Sequence, residues 1–368
     1  MNNNPSSDTQ RGPKMIKVFE DGKLWLDNGV QVLCLYGSWE QMGRQWGALT
    51  SGNIAKVLAF IDTKTSGGKE GFTRMADEVF SHYPGHLKKF IEAAMETSGF
   101  DFRQLKNANC VEWGEPAFNC SGIACWGNYS KGGLVYGRNY DATCYSPIGS
   151  TLTVTVFHPS DGPQAFATIG YAGELYCVNG FNESGIFVEL NNGMYTTGAE
   201  INFGISLSTT ELMRLIATAR TMDEVDDFFR TTESAAGFLI GVANQEEARC
   251  YEWFGNRAHR SDHLTDEGLM VMTNHFVNGE WEFADPSEEA CWFSHARRSN
   301  LLKFAEKNKG EIDPESLQTL MPTLIENGGP AIPDMSMYHI VAIPERKTLY
   351  LDIPGLVSWA EINLKNYF

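Results

Sequence analysis

Several features are missing from these 368 residues, and each absence narrows what the protein can do. No apolar run is long enough to cross a bilayer. The N-terminus lacks the charged, apolar and small-residue regions of a secretory signal, so a cytoplasmic location is expected. Positive charge is scarce: 29 Lys and Arg stand against 46 Asp and Glu, a formal net charge of −17. Such an excess of acid repels phosphate backbones and anionic lipid, so neither nucleic acid nor a membrane is an expected partner. The eight cysteines are widely and irregularly spaced and include no C-x-x-C pair. That excludes a disulfide framework and a structural zinc site as expectations, and no metal or other cofactor is expected. Internal repeats and low-complexity linkers are also lacking. Only the opening stretch, taken as a disordered tail over residues 1–14, is polar and without period.

What is present is an ordinary globular composition, 42% hydrophobic and 20% charged, in a chain long enough for one large domain or two smaller ones. Met15 to Leu35 alternates and contains Gly22 and Asn28-Gly29, which predicts a hairpin. Trp39 to Phe60 reads as a helix with Gly43 and Gly47 as small positions. Pro84 to Ser98 has Leu87, Phe90, Ile91, Ala94 and Met95 on one helical face, closed by Gly99. From Cys120 to Glu189 the texture changes to short strands with glycine turns. Helices return at Thr209, and Thr221 with Glu224 forms a capping box that opens another. Strands are predicted at Gly237–Ala243 and Ala248–Phe254, a helix over Ser294–Lys307, and two final strands between His339 and Ile353. Strand blocks alternating with helix blocks predict a layered α+β domain rather than a doubly wound parallel sheet.

The chemistry gathers around Cys120. Asn119-Cys120-Ser121-Gly122-Ile123-Ala124-Cys125-Trp126-Gly127 is followed by a turn at Ser130-Lys131-Gly132-Gly133 and then by Tyr136-Gly137-Arg138-Asn139-Tyr140-Asp141. If Tyr129 pairs with Leu134 across that turn, Cys120 lies opposite Thr143. Asp141 is then its diagonal neighbour on the same face, and Arg138 falls on the other face unless a bulge or a different turn length brings it round. A nearby cation lowers a thiol toward the attacking thiolate. Were Cys120 to become a chain terminus, its α-amine would be a base suited to neutral pH, and Asp141 could orient it. Taken alone, the same residues read more readily as a small buried hydrophobe in an apolar strand and a solvated Arg-Asn-x-Asp turn.

Cys-Ser-x-x-Ala-x-Trp-Gly, a glycine turn and Gly-Arg-Asn-x-Asp together resemble the family of acyl-coenzyme A:6-aminopenicillanic acid acyltransferase. They also resemble the related choloylglycine hydrolases, among them bile-salt hydrolases and penicillin V acylases, and acid ceramidase. The resemblance extends over most of the chain. It takes in Leu35-Tyr36-Gly37-Ser38 with Glu40 to Gly47, Gly180 to Asn191, Thr273-Asn274-His275-Phe276, Ser294-x-x-Arg297-x-x-x-Leu301, and the end from Trp359 to Phe368. It implies a four-layer αββα sandwich of two antiparallel sheets between helices, the N-terminal-nucleophile hydrolase fold. It further implies cleavage of Asn119–Cys120, leaving residues 15–119 as an N-terminal fragment and 120–368 as the catalytic core of one composite domain. By that resemblance Cys120 is nucleophile and amine base, Arg138 and Asp141 flank it, Asn191 is an oxyanion donor, and Asn274 and Arg297 give support. Asn119 departs from the glycine that precedes the acyltransferase nucleophile.

The implied activity is hydrolysis or transfer of an acyl group from an N-acyl small molecule or peptide through an acyl-enzyme on Cys120. The partners are the amide or acyl donor and the protein's own cleaved N-terminal fragment; a homo-oligomer is compatible with the sequence. Two other readings remain open at this stage. A papain-like thiol hydrolase would use Cys125, beside Trp126, with His275 as base. A non-catalytic ligand-binding member of the fold would use the same pocket without processing. Asn191 is also open to an Asx-turn reading beside Asn192-Gly193, and His275 is read as structural, since an N-terminal nucleophile needs no histidine.

Overall fold

The computed structural model describes residues 12–64, 68–114, 118–142, 146–261 and 265–368. The chain opens with a three-stranded meander, β1 (Lys14–Phe19), β2 (Gly22–Asp27) and β3 (Val30–Gly37). Asn28 and Gly29 both take positive φ at the second turn, the conformation an Asn-Gly hairpin turn requires. Four helices follow, α1 (Trp39–Lys64), α2 (Gly68–Ser81), α3 (Gly85–Ser98) and α4 (Phe102–Asn109). Strands β4 (Phe118–Cys125), β5 (Val135–Ala142), β6 (Thr153–Pro159), β7 (Phe166–Gly170), β8 (Asn179–Asn182) and β9 (Phe187–Asn192) come next. Then come α5 (Met194–Thr197), α6 (Ser208–Thr218), α7 (Met222–Thr231), β10 (Ser234–Ala243), β11 (Ala248–Gly255), β12 (Arg257–Arg260) and β13 (Leu269–Met272). The chain ends with α8 (Ser294–Lys307), α9 (Pro314–Leu320), β14 (Ser336–Ile343), β15 (Thr348–Ile353) and β16 (Val357–Asn363).

The strands form two sheets. One has ten strands in the order β1-β2-β3-β6-β7-β8-β9-β10-β11-β12, and the other six in the order β13-β4-β5-β14-β15-β16. They face each other, with β9 against β4 and β11 against β13. Helices α1 and α6 cover the outer face of the larger sheet, and α8 and α9 that of the smaller. This is the αββα sandwich. One detail corrects the expectation of purely antiparallel sheets: β3 and β6 pair in parallel. The chain between them is long enough to re-enter the sheet from the same end, because it carries four helices and the β4–β5 hairpin of the other sheet. The junction between residues 119 and 120 lies inside β4, and both residues pair with β5. Lys14, placed in the tail by the sequence, already belongs to β1. No helix among the described residues is long and apolar enough to cross a membrane.

Two apolar clusters follow from this layering. The larger lies between the sheets and under α1, α3 and α6. The smaller, with Ile123, Cys125, Val271, Leu301, Leu317 and Met321, fills the space between the six-stranded sheet and α8 and α9. Met95, expected on the buried face of α3, is exposed. α1 approaches α3 closely because Gly43 and Gly47 lack side chains: a Cβ there would overlap the carbonyl oxygens of Phe90 and Ala94. Backbone cannot step aside, so Gly43→Ala is expected to destabilise by about 1–3 kcal/mol through overpacking. Gly52, in the same helix, has open space around it, and there Gly52→Ala should gain up to about 1 kcal/mol from helix propensity. Urea unfolding of both variants should therefore give shifts of opposite sign. Two stabilising substitutions would mean that the helices are not packed backbone to backbone.

Candidate active site

Cys120 sits on β4 directly opposite Tyr140 of β5, and Asn119 opposite Asp141. This register corrects the one expected from the sequence. The first pair of the hairpin is Cys125 with Val135, not Tyr129 with Leu134, because the connection runs from Trp126 to Leu134. Ser130 bridges to Ile312, and Tyr129 packs into the cluster under α8 and α9 instead of extending the strand. Thr143, the expected partner of Cys120, lies outside the described residues. Moving the partner from Thr143 to Tyr140 is an odd shift, so the faces exchange. Arg138, opposite Gly122, shares the face of Cys120, and Asp141 belongs to the other face.

The neighbouring sheet supplies the groups that hold Arg138. On β9, Glu189 and Asn191 alternate onto the face that meets β4 and β5. Arg138 Nη1 donates to Asn191 Oδ1 at 2.8 Å, and Nη2 to the Leu190 carbonyl at 3.2 Å. Glu189 Oε1 lies 3.8 Å from Nη1, with both residues fully buried. Gly122 is needed here, since a Cβ would overlap the Glu189 carboxylate. The Asn191 amide nitrogen donates to the Thr273 carbonyl at 3.1 Å, which fixes which end of the side chain carries the N–H groups.

On its other edge β4 pairs with β13 only from Gly122 onward. At Cys120 side chains replace the ladder. The Cys120 N–H donates to Asn274 Oδ1 at 2.9 Å, and the Cys120 carbonyl accepts from Arg297 Nη1 at 2.7 Å. Arg297 also donates to Ser121 Oγ at 2.9 Å and to Asn274 Oδ1 at 2.8 Å. Asn274 Nδ2 donates to the Asn192 carbonyl at 2.8 Å. Arg297 reaches this position because Ser294, Arg297, Leu301 and Ala305 form the buried stripe of α8, spaced three and four residues apart. Its guanidinium is the polar member of an otherwise small and apolar face.

Burial dominates the electrostatics. It pushes the Cys120 thiol up to about 11, with Arg138 and a hydrogen bond from the Asp141 backbone pulling the other way and Asp141 and Glu189 adding to the rise. The expectation of a lowered thiol is therefore overturned for the intact chain: the cation is in place, but desolvation outweighs it. Burial likewise raises Asp141 to about 6 against the opposing pull of Ser336 and the two arginines, and raises Glu189 to about 8 against Arg138. Asp141 Oδ1 accepts from Ser336 Oγ at 2.6 Å, whereas Oδ2 is buried without a partner. Asn119 is buried too, its Oδ1 accepting from the Tyr195 hydroxyl at 3.0 Å.

Cys125 and His275 do not meet. Cys125 points into the apolar layer under α8 and α9 and pairs with Leu269 at the start of β13, whereas His275 lies beyond the other end of that strand, which closes at Met272. His275 Nδ1 lies 2.7 Å from Ser294 Oγ, and its ring packs on His295 at 3.9 Å between centroids. Burial, His295 and the nearby arginines push it down to about 3, which keeps it neutral and structural. This geometry removes the papain-like arrangement.

Beside Cys120 opens a cavity of about 140 Å3. Trp113, Val178, Leu190, Ile201 and Phe238 give it apolar walls, and Glu112, Tyr140, Tyr176, Asn192 and Thr209 add polar atoms. Sequence reasoning missed Glu112 and Glu189. The signal for Glu189 was present: it precedes Asn191 by two residues on one strand, so the two share a face. Glu112 had none, because it reaches the cavity from a short turn of Val111–Gly114 that carries no periodic or motif pattern of its own.

Residues 128–319, just over half of the chain, match the family described as acyl-coenzyme A:6-aminopenicillanic acid acyl-transferase. No curated protein sequence matches the chain at a comparable level of significance. Among solved structures, the Caenorhabditis elegans ortholog of N-acylethanolamine-hydrolyzing acid amidase is 15% identical with a TM-score of 0.47, covering 67% of this chain and 100% of its own. A variant of conjugated bile acid hydrolase from Clostridium perfringens is 11% identical with a TM-score of 0.45, covering 67% and 93%. Penicillin V acylase from Agrobacterium tumefaciens is 13% identical with a TM-score of 0.40, covering 64% and 83%.

Proposed function

The chain belongs to the acyl-coenzyme A:6-aminopenicillanic acid acyl-transferase family, and from that premise we propose that it is a self-processing cysteine amidohydrolase or acyltransferase. The observation that carries the reading is the handling of the Cys120 backbone. Inside a strand, its N–H and carbonyl bond to the side chains of Asn274 and Arg297 rather than to a neighbouring strand. An amide that is to become a free amine must leave its old role without unravelling a sheet, and side-chain partners allow that.

In the processing step the Cys120 sulfur attacks the Asn119 carbonyl carbon. The C–N bond to Cys120 breaks, its nitrogen takes a proton, and a thioester forms. Water then hydrolyses that thioester, leaving the Asn119 carboxylate and a free Cys120 α-amine. This amine, near pKa 7.7–8.0 in ordinary surroundings, is the base a thiol raised by burial needs. Asp141 Oδ2, buried without a partner in the intact chain, is suited to receive the ammonium form. In turnover the amine takes the thiol proton, and the thiolate attacks the substrate carbonyl. The tetrahedral oxyanion is met by the free N–H of Asn191. Collapse transfers a proton to the leaving amine and forms an acyl-thioester, which water or a second amine resolves. Arg138 opposes the raised pKa of the thiol, and Asn274 and Arg297 keep the Cys120 backbone in place.

A panel of N-acyl amides and acyl thioesters tests the reading, with Cys120→Ala as control. Acyl transfer or hydrolysis by the native chain alone supports it, and equal rates from Cys120→Ala refute it. Cysteine labelling gives an independent check. Cys120 lines the cavity, and burial raises it to about 11, less than the value of about 12 for Cys34. Cys110, Cys125, Cys177 and Cys250 are pushed higher still by burial, and Cys291, also raised by burial, is fully buried and does not line the cavity. Iodoacetamide near neutral pH is therefore expected to modify Cys120 first in the processed protein, as read by peptide mapping. Earlier labelling of Cys125 would count against this assignment.

A further inference from the structure

The cavity beside Cys120 has polar groups on its wall, Glu112 and Thr209, that the proposed chemistry does not use. Glu112, in the turn Val111–Gly114, lines it and is 6% exposed. The Tyr140 hydroxyl donates to one of its carboxylate oxygens and the Tyr176 hydroxyl to the other, the latter at 3.0 Å. Behind it stands a second buried carboxyl, Glu174, whose Oε2 accepts from the Tyr171 N–H at 3.0 Å and whose Oε1 has no hydrogen-bond partner. Burial holds both above the ordinary carboxylate range, and the neighbouring Glu112 raises Glu174 further. The hydroxyl of Thr209, also on the cavity wall and 6% exposed, is buried without a partner.

Charge counting gives this cluster a direction. Among the described residues, four buried carboxyls surround Cys120 and its cavity, Glu112, Asp141, Glu174 and Glu189, against two buried guanidiniums, Arg138 and Arg297. Cleavage before Cys120 adds one cation, the α-amine, and one anion, the Asn119 carboxylate, so the excess of two carboxyls is unchanged. A proton shared between Glu112 and Glu174 can make up half of that excess, as for any two close carboxyls. A cation arriving with the substrate can do the same while satisfying the orphaned Thr209 hydroxyl. The apolar walls that share the cavity with Cys120 fit a hydrocarbon chain, and the net charge of −17 favours approach of a positive ligand.

Building on the acyl-transfer reading, we infer that the cavity selects an acyl group that is apolar along its length and ends in a protonated amine, received by Glu112 and Thr209. A neutral hydroxyl in the same position would use the acceptors but leave the charge deficit in place. A methyl terminus would desolvate them without return.

The test compares amine-, hydroxyl- and methyl-terminated acyl anilides of matched chain length. The processed native enzyme should favour the amine over the methyl terminus by about 30-fold or more in kcat/KM, the scale of losing a buried hydrogen-bonded charge pair. Glu112→Gln should bring that ratio toward one, and Thr209→Val should lower it without abolishing it. Should Glu112→Gln fail to fold, Thr209→Val carries the comparison. Binding of the same compounds to Cys120→Ala, by calorimetry, needs no turnover and should rank them alike. Turnover without a preference for the amine overturns this inference alone, and equal rates for amine and hydroxyl overturn its charge. If no anilide is turned over but Cys120→Ala still binds the amine best, the site stands and the proposed chemistry falls.

Discussion

Cys120→Ala is expected to run as one band of 41.0 kDa on a denaturing gel, while the native chain resolves into two of roughly 13 and 28 kDa, in proportion to 119 and 249 residues. The change should be all-or-none, because on the proposed mechanism the substitution removes the attacking atom, not a helper. The surroundings should survive it. Asn274 and Arg297 hold the backbone of residue 120, which alanine retains, and a methyl group occupies the space where the thiol began. Unfolding curves for the variant and the unsplit native chain should therefore be similar, so a loss of processing can be assigned to chemistry. The two fragments should also stay together under native conditions. Strands β1 to β3 of the first belong to the same ten-stranded sheet as β6 to β12 of the second, joined along the β3–β6 ladder from Gln31 to Gly37. Normal splitting in Cys120→Ala would falsify the mechanism. A native chain that never splits would leave the thiol without the amine that its burial makes necessary.

The parts of this site that sequence could read are those set by short-range rules. The helix carrying Arg297 was legible from Ser294 to Lys307, because its buried residues recur at three- and four-residue spacing. So was the capping box of Thr221 and Glu224, which closes reciprocal bonds within one turn. The strand bearing Asn191 followed from the turn before it. What sequence misread was the register of β4 on β5. Glycines at 132 and 133 suggest a tight turn, but the chain leaves the ladder at Trp126 to bridge with Ile312, far away in sequence. That single difference exchanges the faces of Arg138 and Asp141. Both residues still lie beside Cys120, because Arg138 is fixed by β9 of the opposite sheet and Asp141 by Ser336 of β14. The third closing strand, β16, was missed because its apolar residues change phase in the sequence: Val357 and Trp359 fall on one face, and the buried Ala360 and Ile362 on the other. Glu112 and Glu174 meet through tertiary structure alone, and no local pattern could announce them.

Asn191→Ala is expected to fold, to bind substrate with a modest change in KM and to lose about 10²–10³ in kcat, equivalent to roughly 2.7–4 kcal/mol of transition-state stabilisation. The reason lies in how the side chain is pinned. Its Oδ1 accepts from Arg138 and one N–H goes to the Thr273 carbonyl, so neither rotation nor an amide flip is available to it. An amide nitrogen carries two N–H groups, and among the described residues the second has no recorded acceptor. A neutral donor already oriented and buried costs no reorganisation when charge develops on the substrate oxygen. In a water-poor site its contribution is larger than it would be in bulk solvent. Processing passes through a similar oxyanion, so the variant should also split slowly; kcat must be measured on fully split protein. Asn192 provides the comparison. It faces the other way along β9, its Oδ1 accepting from the Met194 N–H at 2.9 Å and its side chain lining the cavity. Asn192→Ala should therefore act mainly on KM. Near-native turnover in Asn191→Ala, or an equal loss of kcat in Asn192→Ala, would assign the oxyanion to a different donor.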